Sequence, residues 1–304
     1  VQRMLLLQSE LKWLNMEAIR LAYEDMKRIE GFDAVKYLPI LTELEQQVKQ
    51  GFGNIYSGDE AVLVNAEKAV ANKRAILLAN PLLNGDKILT VRYQLGNRDR
   101  RAMAPELGTQ SNNWSNQESA RRKGFNADIV ELSNLRDEVQ IRTIYKPDNT
   151  SSIADLKLHW DGDRAMFTQT MSDNRWNVFE VKLNNGDCKK LIDNPEPDLE
   201  FYDGTYLPDG RIIANSNIGY QGVPCVNGSD PVGNMVLYTP QSKNLRRLTF
   251  DQDANWNPVI MNNGRVMYTR WEYTDLTHYY TRIVMNMNPD GTEQKAVSYT
   301  HLRA

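Results

Sequence analysis

The chain has 304 residues and 34.9 kDa, with 41% hydrophobic and 25% charged residues; with six Trp, fourteen Tyr and seven Phe it lies in the globular range and excludes intrinsic disorder. A net charge of −3 and a pI near 5.8 exclude the basic field that nucleic acid or an anionic membrane requires, so neither is an expected partner. No run approaches the roughly 20 apolar residues of a membrane span, and two cysteines, Cys188 and Cys225, build neither a metal finger nor a disulfide framework.

The first residues, Val1 to Leu7, lack the charged and cleavage regions of a signal peptide. A start at Val rather than Met reads as a fragment or a processed product, so the compartment must be inferred from elsewhere. From Leu5 to about Glu30 the positions Leu7, Leu11, Leu14, Ala18 and Leu21 recur at three and four residues, the stripe of one amphipathic helix ended by Gly31. A second stripe, Leu38, Leu41, Leu44 and Val48, stops before Gly51, and Asp59 to Asn72 is rich in Ala, Glu and Lys. Residues 1–74 are therefore expected to be a helical segment.

The character changes after Ala75 to Ala79, a short run that reads as buried. Lys87 to Tyr93 carries β-branched and aromatic residues, and strands with Asp-Gly or Asn-Gly turns follow to the end. Between Leu95 and Phe125 a polar stretch with three arginines in four residues reads as a solvated inter-strand connection, of a length that is often functional.

An internal repeat organises the rest. LKLHWDGDRAMFTQT with RWNVFEVKLNNGDCKKL, FYDGTYLPDGRIIANS with NMVLYTPQSKNLRRLT, and NWNPVIMNNGRVMYTR with TRIVMNMNPDGTEQKAV each read as strand, tight turn, strand, loop, strand, turn, strand. Gly162, Gly210 and Gly264 hold equivalent turn positions 48 and 54 residues apart, which fits four-stranded propeller blades with insertions between the second and third strands. A less regular blade is expected over Lys87 to Tyr145. The expected fold is mainly β: a six- or seven-bladed β-propeller, about four blades of it in this chain, over residues 75–296 behind the α-helical segment. Residues 297–304, VSYTHLRA, break the pattern and read as a non-native tail or as one further strand, so His301 carries no functional weight.

The segments NNWSNQES, FNADIVELS, FYDGTYLPDGRIIANSN, GYQGVPCVNGSD, LTFDQDANWNPVIMNNGRVMYTRWEYTD and HYYTRIVMNMNPDGT resemble the middle propeller region of the hydrazine synthase alpha subunit and its relatives. The resemblance covers about residues 75 to 296. Its specific part runs from Leu248 to Gly291; LTFDQD and PDG alone indicate the broader TolB-like propeller group. It implies a periplasmic or extracellular protein and, in the hydrazine-forming enzymes, c-type haem and a multi-subunit assembly. The chain departs from that pattern in having no Cys-x-x-Cys-His, which covalent haem requires, so the resemblance supports fold and compartment and leaves function open.

Two insertions carry the candidate site. Arg270 to Tyr280 concentrates a guanidinium, two carboxylates, an imidazole and four aromatics; its catalytic candidates are Glu272 as general base, Arg270 as charge stabiliser and His278 as acid or metal ligand. The corresponding insertion one blade earlier, Tyr220 to Asp230, supplies Asp230 as an alternative base and Cys225, which with His278 and Asp230 has the donor types for zinc. The bland readings are an Arg270–Glu272 pair, a structural His278 and Cys225 as a small buried hydrophobe. Asp251, Asp253, Asn255 and Asn257 alternate oxygen side chains as a calcium loop does, but without its Gly and distal Glu, and the favoured reading is that Asp251 and Asp253 close the blade junction by bonding backbone amides. His159, beside Trp160, reads as a packed core histidine and Cys188 as structural. No phosphate loop or nucleophile elbow is present.

Two functions fit. The first is a binding or assembly propeller whose rim loops, 95–124, 217–234 and 270–281, capture a protein or glycan. The second is an envelope enzyme, metal-dependent and polysaccharide-directed, that uses the same face.

Overall fold

The computed structural model describes residues 1–84, 87–93, 122, 126–136, 138–148, 151–223, 231–272 and 282–298. Cys225, Asp230, His278 and His301 lie outside these residues, as do most of the three rim loops. The chain divides into two compact units, residues 1–88 with 132–141 and residues 89–131 with 142–304.

The first unit holds four helices, α1 Gln2–Lys12, α2 Met16–Met26, α3 Ala34–Gln50 and α4 Glu60–Leu77. One expected helix over residues 5–30 is two. The Asn15 side chain accepts from the Ala18 amide and starts α2 afresh, which satisfies an end donor that an uninterrupted helix would not expose. The restart rotates the buried face: Ile19, Tyr23 and Met26 are buried, whereas Ala18 and Leu21 are exposed. Asp33 and Asp59 cap α3 and α4 in the same way, and Gly51 ends α3 at φ 74°, where a side chain would be strained. Leu41, Leu44, Ala69 and Ile76 join the α2 residues in one core. Burying Leu44 or Ile76, both fully enclosed, contributes roughly 1.5–3 kcal/mol each. Helix α4 runs through Ala75 to Leu77, past the expected end of the helical segment.

The rest is mainly β, in four antiparallel sheets. The first has three strands, β1 Lys87–Arg92, β2 Asp128–Ser133 and β3 Gln140–Tyr145. The other three are four-stranded meanders: β4 Ile153–Leu158, β5 Arg164–Thr170, β6 Trp176–Lys182 and β7 Cys188–Lys190; β8 Phe201–Tyr206, β9 Ile212–Ser216, β10 Asn234–Thr239 and β11 Asn244–Arg247; β12 Asn255–Ile260, β13 Val266–Trp271, β14 Arg282–Met287 and β15 Lys295–Ser298. Strand β15 takes in Val297 and Ser298, two residues of the segment expected to be a tail.

The repeat owes its regularity to two local devices. The first-to-second-strand turn closes by Gly162 N–H to His159 C=O at 2.9 Å, Gly210 to Leu207 at 3.0 Å and Gly264 to Met261 at 2.9 Å, each Gly at positive φ. The first strand of each meander also carries a bulge, centred on Asp155, Asp203 and Asn257 at φ 54°, 51° and 56°. Asp and Asn tolerate this left-handed conformation better than other side chains do.

The sheets stack through apolar layers. Met166, Val178, Phe201, Ile212, Val236 and Tyr238 fill the layer between the β4–β7 and β8–β11 sheets, and Ile213, Met235, Leu237, Tyr268, Met285 and Met287 fill the next. Strand β8 packs on β4, β5 and β6, and β12 on β8, β9 and β10. At Gly204 the approach is so close that an added Cβ would lie 2.6 Å from Met166 Sδ and 3.0 Å from a Val178 methyl, so glycine is required for space.

Candidate functional site

Three polar constellations are built on this stack. The first follows the bulges. The Asp203 carboxylate takes the Lys157 ammonium at 2.8 Å, the Asn257 backbone N–H at 2.5 Å and the Asn215 amide at 3.2 Å, while the Asp203 N–H donates to Thr168 Oγ1 at 2.9 Å. Lys157 also donates to the Pro258 carbonyl at 3.1 Å. Three successive sheets are thus tied at their first strands. Asp155 Oδ2 is enclosed without a hydrogen-bond partner among the described residues. Burial first, and the Asp203 carboxylate second, push the Asp155 acid up to about 7.

The second constellation surrounds Arg270 at the end of β13. Its guanidinium lies 2.5 Å from Asp251 Oδ1, donates to Gln294 Oε1 at 3.0 Å and to Asn255 Oδ1 at 3.3 Å, and is 3.7 Å from Glu272. Asn255 Nδ2 donates to Asp251 Oδ2 at 3.0 Å. The oxygens of Asp251 and Asn255, for which calcium ligation is the less favoured of two sequence readings, therefore face a guanidinium, which already supplies the positive charge a cation would bring. Asn257 belongs to the bulge, and its backbone N–H is spent on Asp203. Glu272 is partly exposed beside Arg270. Arg270 and Glu272 are close, and Arg270's nearest carboxylate is Asp251.

The third constellation lies at the opposite end of the strands from the long insertions, because a meander places its first-to-second and third-to-fourth turns together. There the β4–β5 turn meets the β8–β9 and β10–β11 turns around an open cleft of about 400 Å³. His159, only 5% exposed, stands where the other two repeats have Leu207 and Met261. Its ring centroid is 4.2 Å from Trp160 and 4.7 Å from Tyr206, edge to face with the latter. Trp160 remains 55% exposed. Arg164 donates to His159 Nε2 at 2.7 Å, to Asp163 at 2.6 Å and to Asp161 at 3.3 Å, and lies 3.6 Å from Glu180. Glu180 is buried, accepts from the Tyr206 hydroxyl at 3.0 Å and pairs with Lys189 at 2.9 Å. Burial and the Glu180 carboxylate raise the Tyr206 hydroxyl, so it stays protonated as the donor. His159, Asp161 and Asp163 have donor types for a metal ion, yet the Arg164 guanidinium bonds all three, which makes them a poor cation site.

Of the side chains singled out in the sequence, Arg270, Glu272, Asp251 and Asn255 come together. Cys225, Asp230 and His278 lie outside the described residues. Cys188 is half-buried, and burial pushes its thiol up to about 11. The Trp160 cleft was not anticipated beyond the core reading of His159. The available signal was the turn itself: its second position is Pro208 and Asn262 in the other repeats, so the turn does not require a large aromatic there.

No known protein family matches the sequence, and no curated protein matches it. Solved structures do. Hydrazine synthase from Kuenenia stuttgartiensis superposes with a TM-score of 0.50 at 10% identity, over 70% of this chain and 32% of that one. The fold is propeller-like. TolB from Acinetobacter baumannii (TM-score 0.39, 14% identity, 57% of this chain and 41% of that one) and oligogalacturonate lyase from Vibrio parahaemolyticus (0.42, 13%, 70% and 61%) are more distant. The chain spans less than two thirds of the length of each of the three. These likenesses concern architecture and carry no activity to this chain. Among the described residues no helix is long and apolar enough to cross a membrane.

Proposed function

We propose that this protein is a TolB-like propeller of the bacterial envelope that acts as a binding or assembly module rather than as an enzyme. The observation that carries the reading is the contrast between Arg270 and Trp160. Arg270, the charge stabiliser of the enzyme alternative, spends its donors on Asp251, Asn255 and Gln294 and holds β13 to its neighbours. Trp160 is a half-exposed aromatic in an open cleft, positioned by His159 and Tyr206 at a turn position that the other repeats give to Pro208 and Asn262. A rigid aromatic of that kind serves recognition, because it offers contact area at little conformational cost. The rim insertions 217–234 and 270–281, with Asp230, Cys225, Glu272 and His278, belong to this proposal as a second contact region. The periplasmic or extracellular location is part of it and rests on the sequence resemblance to the propeller region of the hydrazine synthase alpha subunit.

The test is binding of envelope polymers and soluble envelope proteins to wild type, Trp160→Ala and a variant with residues 273–280 replaced by Gly and Ser. Binding that either variant weakens, with the ligand recovered chemically unchanged, is the expected result. Catalytic conversion of a polysaccharide that depends on Glu272 would overturn it.

A further inference from the structure

Resting on the binding reading, the cleft at the tight-turn end commits to one chemistry. We propose that it is a carbohydrate subsite in which a neutral pyranose stacks on Trp160 and takes hydrogen bonds from the surrounding side chains.

The platform comes first. Trp160 occupies the second position of the turn closed by His159 C=O and Gly162 N–H, so its backbone is fixed. His159 packs on the indole at 4.2 Å and 40°, Tyr206 meets it edge to face at 6.0 Å, and Trp160 is 55% exposed in the lining of the cleft. An aromatic ring held on a fixed turn and half exposed suits the apolar face of a sugar ring, whose axial C–H groups stack on such a ring.

Charge then selects among ligands. The cleft is lined by Asp161 and Glu180 against Arg164 and Lys189, so its charged groups balance, and Asp163 pairs with Arg164 from outside the lining. Arg164 is fully engaged with His159, Asp161, Asp163 and Glu180, so it offers no free fork for a carboxylate or phosphate. An anionic glycan would meet Asp161 and Glu180 without a free cation to pair with, apart from Lys189, itself held by Glu180. A neutral sugar needs no such counter-charge. Its vicinal hydroxyls donate to Asp161, whose side chain is 56% exposed, and exchange hydrogen bonds with the exposed Gln241 amide across the cleft. Pro208 and Pro240 border the cleft and keep its wall stiff, so ordering the site on binding costs little.

The experiment titrates the whole chain with three probe sets, neutral cello-, malto- and chito-oligosaccharides, oligogalacturonates, and proline-containing peptides, and follows tryptophan fluorescence and heat. Trp160→Ala, Trp160→Phe and Gln241→Ala are compared, with thermal unfolding to confirm that each is folded. The expected result is saturable binding of at least one neutral series, reduced about tenfold or more by Trp160→Ala, restored in part by Trp160→Phe and weakened by Gln241→Ala. Trp160-dependent binding of oligogalacturonate or peptide in preference to every neutral sugar would overturn the glycan assignment and leave the binding reading standing. Sugar binding unaffected by Trp160→Ala would remove the cleft from both, and the absence of binding by all neutral series would overturn the inference alone.

Discussion

Replacing Arg270 with Met separates a structural guanidinium from a functional one. The side chain is 13% exposed and faces Asp251, 24% exposed, at 2.5 Å, with Gln294 and Asn255 completing its shell. Methionine keeps most of the stem's packing, so the loss is electrostatic: Asp251 remains part-buried beside Asn255 without its direct ion-pair partner, and the Arg247 guanidinium acts on it only at longer range. Removing one partner of a fully buried pair costs about 3–5 kcal/mol, and the residual exposure of Asp251 lowers this to about 2–3 kcal/mol. At about 2–4 °C per kcal/mol for a β unit of this size, the melting point should fall by about 4–12 °C. Adding Asp251→Asn to Arg270→Met removes the orphaned charge and should recover much of that loss, giving a coupling energy of about 1–3 kcal/mol between the two positions. Urea and thermal unfolding followed by circular dichroism measure all four species of the cycle. A loss below about 0.5 kcal/mol, or additive single effects, would refute the reasoning and return Arg270 to the list of candidate catalytic groups.

Three further outcomes follow from the same geometry. Asp155 is held protonated to about pH 7 in the fold, against the usual 3.8 for the exposed acid, so its contribution to stability should fall as pH rises from about 4 to about 7 and then level off. Asp155→Asn should flatten that dependence and raise the melting point at pH 8, by an amount equivalent to no more than about 4 kcal/mol; an unchanged pH profile would contradict the assignment. Gly204→Ala should cost about 1–3 kcal/mol through the contact with Met166 and Val178, with partial recovery on adding Val178→Ala; equal melting points for wild type and Gly204→Ala would contradict the steric argument. In a Cys225→Ser background, Cys188 should react with iodoacetamide at pH 8 about a hundredfold more slowly than a free thiol, because burial pushes its thiol up to about 11; reaction at the free-thiol rate would contradict that burial.

The repeat was legible because its signals are local. A turn that needs Gly at positive φ marks itself at Gly162, Gly210 and Gly264, and the alternation on either side supplies the strands. The helical caps were equally local, and the break at Asn15 was missed only because Ala18 and Leu21 kept the apolar spacing through it. The polar networks were less accessible. Arg270 with Glu272 is visible in three letters of sequence, whereas Gln294, 24 residues away, and Asp251 from the preceding connection become partners only through sheet pairing. The cleft is further still from the sequence, since Tyr206 and Gln241 reach Trp160 from the next sheet of the stack. Its single local trace is a tryptophan in a turn position that the other repeats give to Pro208 and Asn262.

The most direct test of the account is the dissociation constant for the bound neutral oligosaccharide measured side by side on Trp160→Ala and Arg270→Met under conditions where both are folded. The account predicts a rise of about tenfold or more for Trp160→Ala and an unchanged value for Arg270→Met. An unchanged value for Trp160→Ala with loss of binding in Arg270→Met would contradict it.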